Sequence, residues 1–407
     1  MSMDTASEEC NMSIADNDAT RVKFLKESID PSTTWDTLHV TSATTVTQLL
    51  ISDQDYATLV IIFCSIFGVI TFAGCLGNAV TIATYLSMKL KDGVTISFLG
   101  LAISDFLYVI TMLAHLISLG LYTLERKSSF KIWFPFDPFG IYVFFSNIGV
   151  LIYLITILAT TFIAIIRCLC VSMPLQFRNL LTRRRSIWCI TIFSLVSVVS
   201  YLPILLNMTM QRSFDANINT TRYRLWVSPY REEIKMAIWI SRDVLVTFIT
   251  EVIVIVCVVV MTKKLQAAAK FRNKTAKYSV RPTLSPVAVA GIQATSLVRD
   301  SKIATIVNCE PSETQSNKLS SKDFSVVRQV VLISSIYIVC NMPKIVIDLA
   351  VLFVPDLALG RPYQNVYITV LGIMELLQVF NSSFNIFIYF KYNSKFRKHL
   401  CLFKSKT

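Results

Sequence analysis

The sequence is poor in charge, in histidine and in closely spaced cysteine. Only 16% of its 407 residues are Asp, Glu, Lys or Arg, against about 25% in soluble globular domains. Hydrophobic residues make up 54% and the mean hydropathy is +0.57, which excludes an ordinary water-soluble fold. The three histidines, His39, His115 and His399, lie too far apart in sequence to predict a multi-His metal site. The ten cysteines contain no Cys-x-x-Cys, and Cys168 and Cys170 are the one close pair. No nucleophile–base pair, metal-ligand cluster or phosphate-cradling loop stands out, which argues against an enzyme. The first 50 residues carry no apolar core, so no cleavable signal peptide is expected and the first apolar run should act as the membrane signal.

Long apolar runs are what the chain has instead. From Gly140 it continues to Arg167 without a single charge, and a membrane-spanning helix needs about 20 apolar residues. Seven runs qualify, at about 57–86, 94–122, 139–177, 186–206, 236–261, 324–354 and 363–390. Backbone polar groups in lipid must be satisfied internally. The runs therefore predict an all-α membrane protein, a seven-transmembrane helix bundle, with a short amphipathic helix 8 over Lys391–Phe403. Residues 1–55 are acidic and rich in Ser, Thr and Asn, the composition of a disordered N-terminus. Residues 56–390 form the membrane domain, with a long basic loop at 263–322, and 391–407 the amphipathic helix and tail. Residues 207–235 read as a polar loop, and Pro343 is expected to bend span six.

Charge sets the orientation. The segments after spans one, three and five, together with the tail, sum to +19, while the N-terminus and the segments after spans two, four and six sum to −4. Basic segments stay cytoplasmic, so the N-terminus is expected outside and the tail in the cytosol, in the plasma membrane. The glycosylation sequons at Asn11, Asn207 and Asn219 then all fall outside. The net charge of +13 is explained by this distribution, and the expected partner is a lipid bilayer rather than nucleic acid.

Inside the spans, Gly77-Asn78 lies in span one, Leu101-Ala102-Ile103-Ser104-Asp105 in span two, and Arg167 ends span three seven residues before Pro174. Cys340-Asn341-Met342-Pro343 lies in span six, and Asn381-Ser382-Ser383-Phe384-Asn385-Ile386-Phe387-Ile388-Tyr389 closes span seven ahead of Phe396-Arg397. In this order, across residues 57–403, the chain resembles the rhodopsin-like (class A) G-protein-coupled receptors. The run Arg167-Cys-Leu-Cys-Val-Ser-Met-Pro-Leu-Gln-Phe177 resembles invertebrate, particularly molluscan, chemosensory or neuropeptide-type receptors. The resemblance implies a receptor that binds an extracellular ligand and activates a heterotrimeric G protein. The alternative is a membrane transporter of a charged small solute, although no inverted repeat is visible.

The chain also departs from the family pattern. Ile166 and Cys168 flank Arg167 where the family has an acid and an aromatic; Ile386 replaces a span-seven proline and Asn341 a span-six tryptophan. Tyr142 stands where the family has a disulfide cysteine and residues 207–235 hold no cysteine, so that disulfide is expected to be absent. Gly149 replaces the acid of amine receptors and Val379 the retinal lysine of opsins, which excludes those ligand classes.

The candidate residues follow. Asp105 is a lone carboxylate deep in span two; the resemblance places Asn78, Thr156, Asn381, Ser382 and Asn385 around it as a sodium site, and a hydrogen-bonded network around a protonated Asp105 is the other reading. Arg167 is the G-protein contact by resemblance, or an arginine reaching lipid headgroups. Asp323, where the family often places a partner for this arginine, either pairs with it or caps a solvated helix start; Pro343, Asn385 and Tyr389 complete the activation set. Arg242, Asp243, Lys344, Asp348 and Glu375 are charges in the outer halves of spans five to seven, and His115 joins them as candidates for a wet ligand pocket. Their other reading is internal ion pairing that ties helices together. Both signs favour a short peptide or an amino-acid-like ligand. Cys401 is a palmitoylation candidate or a free thiol.

Overall fold

The structure is a computed structural model that describes residues 53–88, 90, 92–127, 133–173, 182–215, 219–279, 321–354, 356–357 and 363–404. Seven of its helices are long and apolar enough to cross a bilayer: Ile62–Ser87, Gly93–Glu125, Pro138–Ser172, Arg183–Leu206, Arg231–Lys270, Ser325–Phe353 and Asn365–Tyr392, here spans one to seven. An eighth helix, Ser394–Lys404, follows span seven. The all-α seven-helix bundle expected from the apolar runs is the fold observed.

Span three is the hub. It packs against spans two, four, five and six, while span one packs on two and seven and span six on five and seven. Its inward face supplies Tyr153, Leu154, Ile157, Ala159, Ile163 and Ala164 to a single core shared with Tyr108, Val254, Val330, Tyr337, Val379 and Tyr389. Bulky apolar side chains also point outward: Val69, Trp188, Leu195, Val346 and Phe387 are all exposed. Burying large residues inward and displaying others outward is stable only where the surroundings are lipid tails. Gly74 is needed where spans one and seven meet, because a Cβ there would sit 2.1 Å from the Ser383 hydroxyl oxygen.

Three features were not legible as continuous helix. The segment between spans four and five is not a bare polar loop but an antiparallel hairpin, β1 (Met208–Asp215) and β2 (Thr220–Val227), in register from Met208 opposite Val227 to Asp215 opposite Thr220. Its strands alternate polar and apolar residues, and its turn holds Asn219 at φ 51°, a left-handed conformation that asparagine tolerates better than most residues. Span five begins at Arg231, earlier than its apolar run, with Glu232 and Glu233 in the first turn where the helix dipole favours acids. Within it, Trp239–Val246 is π-helical.

The hairpin caps its end of the bundle without a disulfide. The described cysteines are all free. Instead the Asp137 amide donates to the Tyr223 carbonyl at 2.9 Å, Arg222 pairs with Glu125 at the end of span two, and Gly140 lets Leu225 and Met210 close on span three, since a Cβ would meet them at 3.0 and 3.1 Å. At the opposite end, Phe396 of the eighth helix is fully buried between Tyr85 and Tyr389, ring centroids 5.3 and 5.8 Å away. Asn393 caps this helix by accepting from the Phe396 amide at 3.1 Å. Arg397 donates to the last carbonyls of span seven, at Phe390 (3.0 Å) and Lys391 (2.6 Å).

Candidate functional site

Three polar layers lie one below another inside the bundle, starting at the hairpin end. The first is ionic. The π-helical stretch of span five carries Arg242, which is 4% exposed. It donates to Asp243 at 3.2 Å, to the carbonyl of Val150 at 3.1 Å and that of Leu151 at 3.4 Å, to the Ser197 hydroxyl at 3.4 Å, and lies 4.6 Å over the Tyr201 ring. One guanidinium thus joins spans three, four and five, which matches the helix-tying reading of this residue. Lys344 pairs with Asp348 one turn further along span six, and both act electrostatically on Asp243. Four of the six candidate pocket charges therefore form one cluster between spans five and six. The other two form a second: His115 Nε2 lies 3.9 Å from Glu375 Oε2, with the Tyr142 ring packed on the imidazole at 4.2 Å and tilted by 31°.

Arg231 also belongs to this layer and was missed, because composition assigned it to a loop. It is 6% exposed. It donates to Glu232 at 3.1 Å and to Asn147 Oδ1 at 3.4 Å, the oxygen that also accepts from Tyr201 at 2.8 Å.

The second layer is neutral and crosses the whole bundle. The Tyr108 hydroxyl of span two donates to Gln378 of span seven at 3.1 Å, and its ring packs 4.8 Å from Tyr153 of span three. Tyr153 donates to Asn341 Oδ1 at 3.0 Å, and Asn341 Nδ2 donates to the Tyr337 carbonyl at 2.9 Å. Beside Tyr337 lies Glu251 of span five, 2% exposed, with the Tyr337 hydroxyl as its nearest polar neighbour. Glu251 was overlooked in the sequence although its signal was plain: one acid inside the apolar run Thr247-Phe-Ile-Thr-Glu-Val-Ile-Val-Ile-Val256.

The third layer surrounds Asp105, which is fully buried. Asn385 Nδ2 donates to its Oδ2 at 2.8 Å and Thr156 Oγ1 to its Oδ1 at 3.2 Å. The Ser104 hydroxyl is 3.1 Å from that of Thr156, and Asn78 Nδ2 donates to the Ser382 carbonyl at 3.0 Å. Asn78, Thr156, Asn381, Ser382 and Asn385 are all 3% exposed or less. Thr156, Ser382 and Asn385 thus meet at Asp105 and Asn78 joins through the Ser382 carbonyl, whereas Asn381 is buried but takes part in none of these bonds. The set offers oxygens of the hard kind that sodium prefers, and among the described residues no cluster of three or more His, Cys, Asp or Glu suits a transition metal.

Below this layer, Tyr389 is fully buried against Tyr85 and Phe98. Arg167 is half-buried and borders a small cavity lined by Val94, Ser97, Phe98, Phe162, Ile163 and Ile166. The side chain of Asp323 lies outside the described residues, and with it the expected pairing to Arg167; Asn11 lies outside them too. Pro343 stands inside span six, where its missing N–H leaves one helical carbonyl without a donor. Asn207 is half-buried, Asn219 is exposed at the hairpin turn and Cys401 is exposed on the eighth helix.

No protein-family model matches the chain, and no curated protein is significantly similar to it in sequence.

Proposed function

We propose that this chain is a rhodopsin-like G-protein-coupled receptor of the plasma membrane, with its N-terminus and hairpin outside and its eighth helix in the cytosol. The observation that carries the reading is the buried Asp105, bonded to Asn385 of span seven and Thr156 of span three at the centre of a seven-span bundle. A charge-capable group in lipid is costly and persists where it has partners and a role. Here Asp105 and its partners sit on three helices, so any shift among them remakes the bonds. The ligand, a charged peptide or amino-acid-like molecule, enters at the ionic layer. The neutral tyrosine–asparagine layer carries the change to Asp105, and the end holding Arg167 and Tyr389 engages a heterotrimeric G protein. A sodium ion at Asp105 favours the resting arrangement.

The test is co-expression of the full chain with a panel of Gα subunits, reading guanine-nucleotide exchange in membranes. Exchange above that of mock membranes with at least one subunit, altered by Asp105→Asn at equal surface expression, is expected. Mock-level exchange across the panel, together with uptake of a charged solute, would identify a transporter instead.

A further inference from the structure

Charge matching inside the ionic layer leaves the Glu375 carboxylate over; Glu233 and Asp356 are exposed on the outside and Asp137 is taken up in capping span three. Arg222 pairs with Glu125, Arg231 with Glu232, Arg242 with Asp243 and Lys344 with Asp348. The one ionic neighbour of Glu375 among the described residues is His115, at 3.9 Å. That distance is too long for a hydrogen bond, and an imidazolium would be drawn closer. The reason for the gap lies on the other side of the ring. His115 Nδ1 is 3.4 Å from the Tyr142 carbonyl oxygen, which can only accept. The neutral ring therefore carries its proton on Nδ1 and turns a bare acceptor, Nε2, toward the carboxylate. Two acceptors face each other across an unfilled gap.

The gap faces the inside of the bundle. The Glu375 side chain is 38% exposed. Yet Gln378 and Ser382, three and seven residues on and so on the same helix face, are 9% and 0% exposed. Both are engaged by the bundle: Gln378 accepts from Tyr108, and the Ser382 carbonyl accepts from Asn78. The lipid side of span seven is marked instead by Ile373 and Phe380. The other wall is rigid, since His115 is only 4% exposed and packs on the Tyr142 ring.

We infer that Glu375 and His115 form a recognition subsite for an organic cation, a primary ammonium or a guanidinium, which donates to both acceptors at once. As the place where the ligand's basic group docks, the subsite rests on the receptor reading; as a cation site, it does not. The pairing of Lys344 with Asp348 leaves Glu375 as the anionic anchor of the pocket, so the ligand is basic at the end that docks there.

The full chain, purified in detergent, is heated with n-pentylammonium, methylguanidinium or n-pentanol at equal millimolar concentration. Both cations are expected to raise Tm and the alcohol is not. Glu375→Gln should raise the half-effective cation concentration about tenfold or more, as loss of one partner of a desolvated charge pair does. Glu375→Asp should retain part of the effect, which a merely structural role for the carboxylate would not explain. If Glu375→Gln does not fold, His115→Phe takes its place with the same expectation. Equal stabilisation by the alcohol, equal cation binding in the variant, or no stabilisation by either cation overturns the inference. Cation binding without nucleotide exchange on any Gα subunit leaves the subsite standing and rejects the receptor; exchange without cation binding does the reverse.

Discussion

The two ends of the bundle are closed by opposite chemistry. At one end a two-stranded hairpin is held by backbone hydrogen bonds, the Arg222–Glu125 pair and tight contact at Gly140. At the other, an aromatic plug does the work: Phe396 between Tyr85 and Tyr389. Aromatic packing is insensitive to salt and tolerates little change of shape. Ionic and backbone contacts can be exchanged for those of a polar visitor. The difference teaches which end can trade its contacts with a polar ligand: the one fastened by an ion pair and backbone bonds and lined inside with charge.

The largest expected effect tests the plug. Phe396→Ala removes a fully buried ring and should cost about 4 kcal/mol of stability, read as a fall in Tm and in surface expression; a wild-type Tm would erase the contrast between the ends. Next is the hairpin's ion pair, whose side chains are 11% and 7% exposed. Arg222→Ala strands the Glu125 carboxylate and should cost about 3 kcal/mol. The double variant Glu125→Leu/Arg222→Met should recover most of that, because replacing a buried pair with apolar groups is often neutral. A double variant as unstable as the single one would mean that the pair fastens the hairpin by attraction, not merely by matched burial.

A smaller effect sits between the ends. If Asp105 binds sodium, replacing an inert organic cation by sodium at ten times its Kd should stabilise the protein by about 1.4 kcal/mol. Asp105→Asn should abolish the shift, and an identical shift in both proteins would leave the hydrogen-bonded network as the better description. The smallest effect is at the hairpin turn. Asn219→Gln should change stability by no more than about 0.5 kcal/mol, yet remove a glycan visible as a shift in gel mobility. No such shift, with the turn as exposed as it is, would place the hairpin on the cytosolic side and reverse the assignment of the ends.

Much of this was legible in the sequence because lipid imposes a simple demand. A run such as Gly140 to Arg167 can only be a buried helix, and an isolated Asp105 in such a run must find partners, which it did in Thr156 and Asn385. The eighth helix was readable too, as an amphipathic tail, but the burial of its Phe396 between Tyr85 and Tyr389 was not. What escaped notice lay where that demand relaxes. The hairpin is short and wet, so its strands show only a weak alternation. Arg231 looks like loop residue until Asn147 and Glu232 are known to reach it. The docking of the hairpin depends on Glu125 and Asp137 meeting residues about 90 positions later in the chain, a pairing that no local pattern encodes.

The π-helical stretch Trp239–Val246 makes span five sensitive to phase rather than to length. Each residue of an α-helix turns the chain about 100°, and a π segment is where one extra residue has been taken up without breaking the helix. Deleting any single residue there would let the span relax to regular α-helix with little change in height. The same loss from the regular helix beyond Thr247, where nothing takes it up, would turn everything on the hairpin side by about a quarter turn and carry Arg231 away from Asn147. The stretch Trp239–Val246 is therefore where span five can lose a residue and keep its two halves in phase.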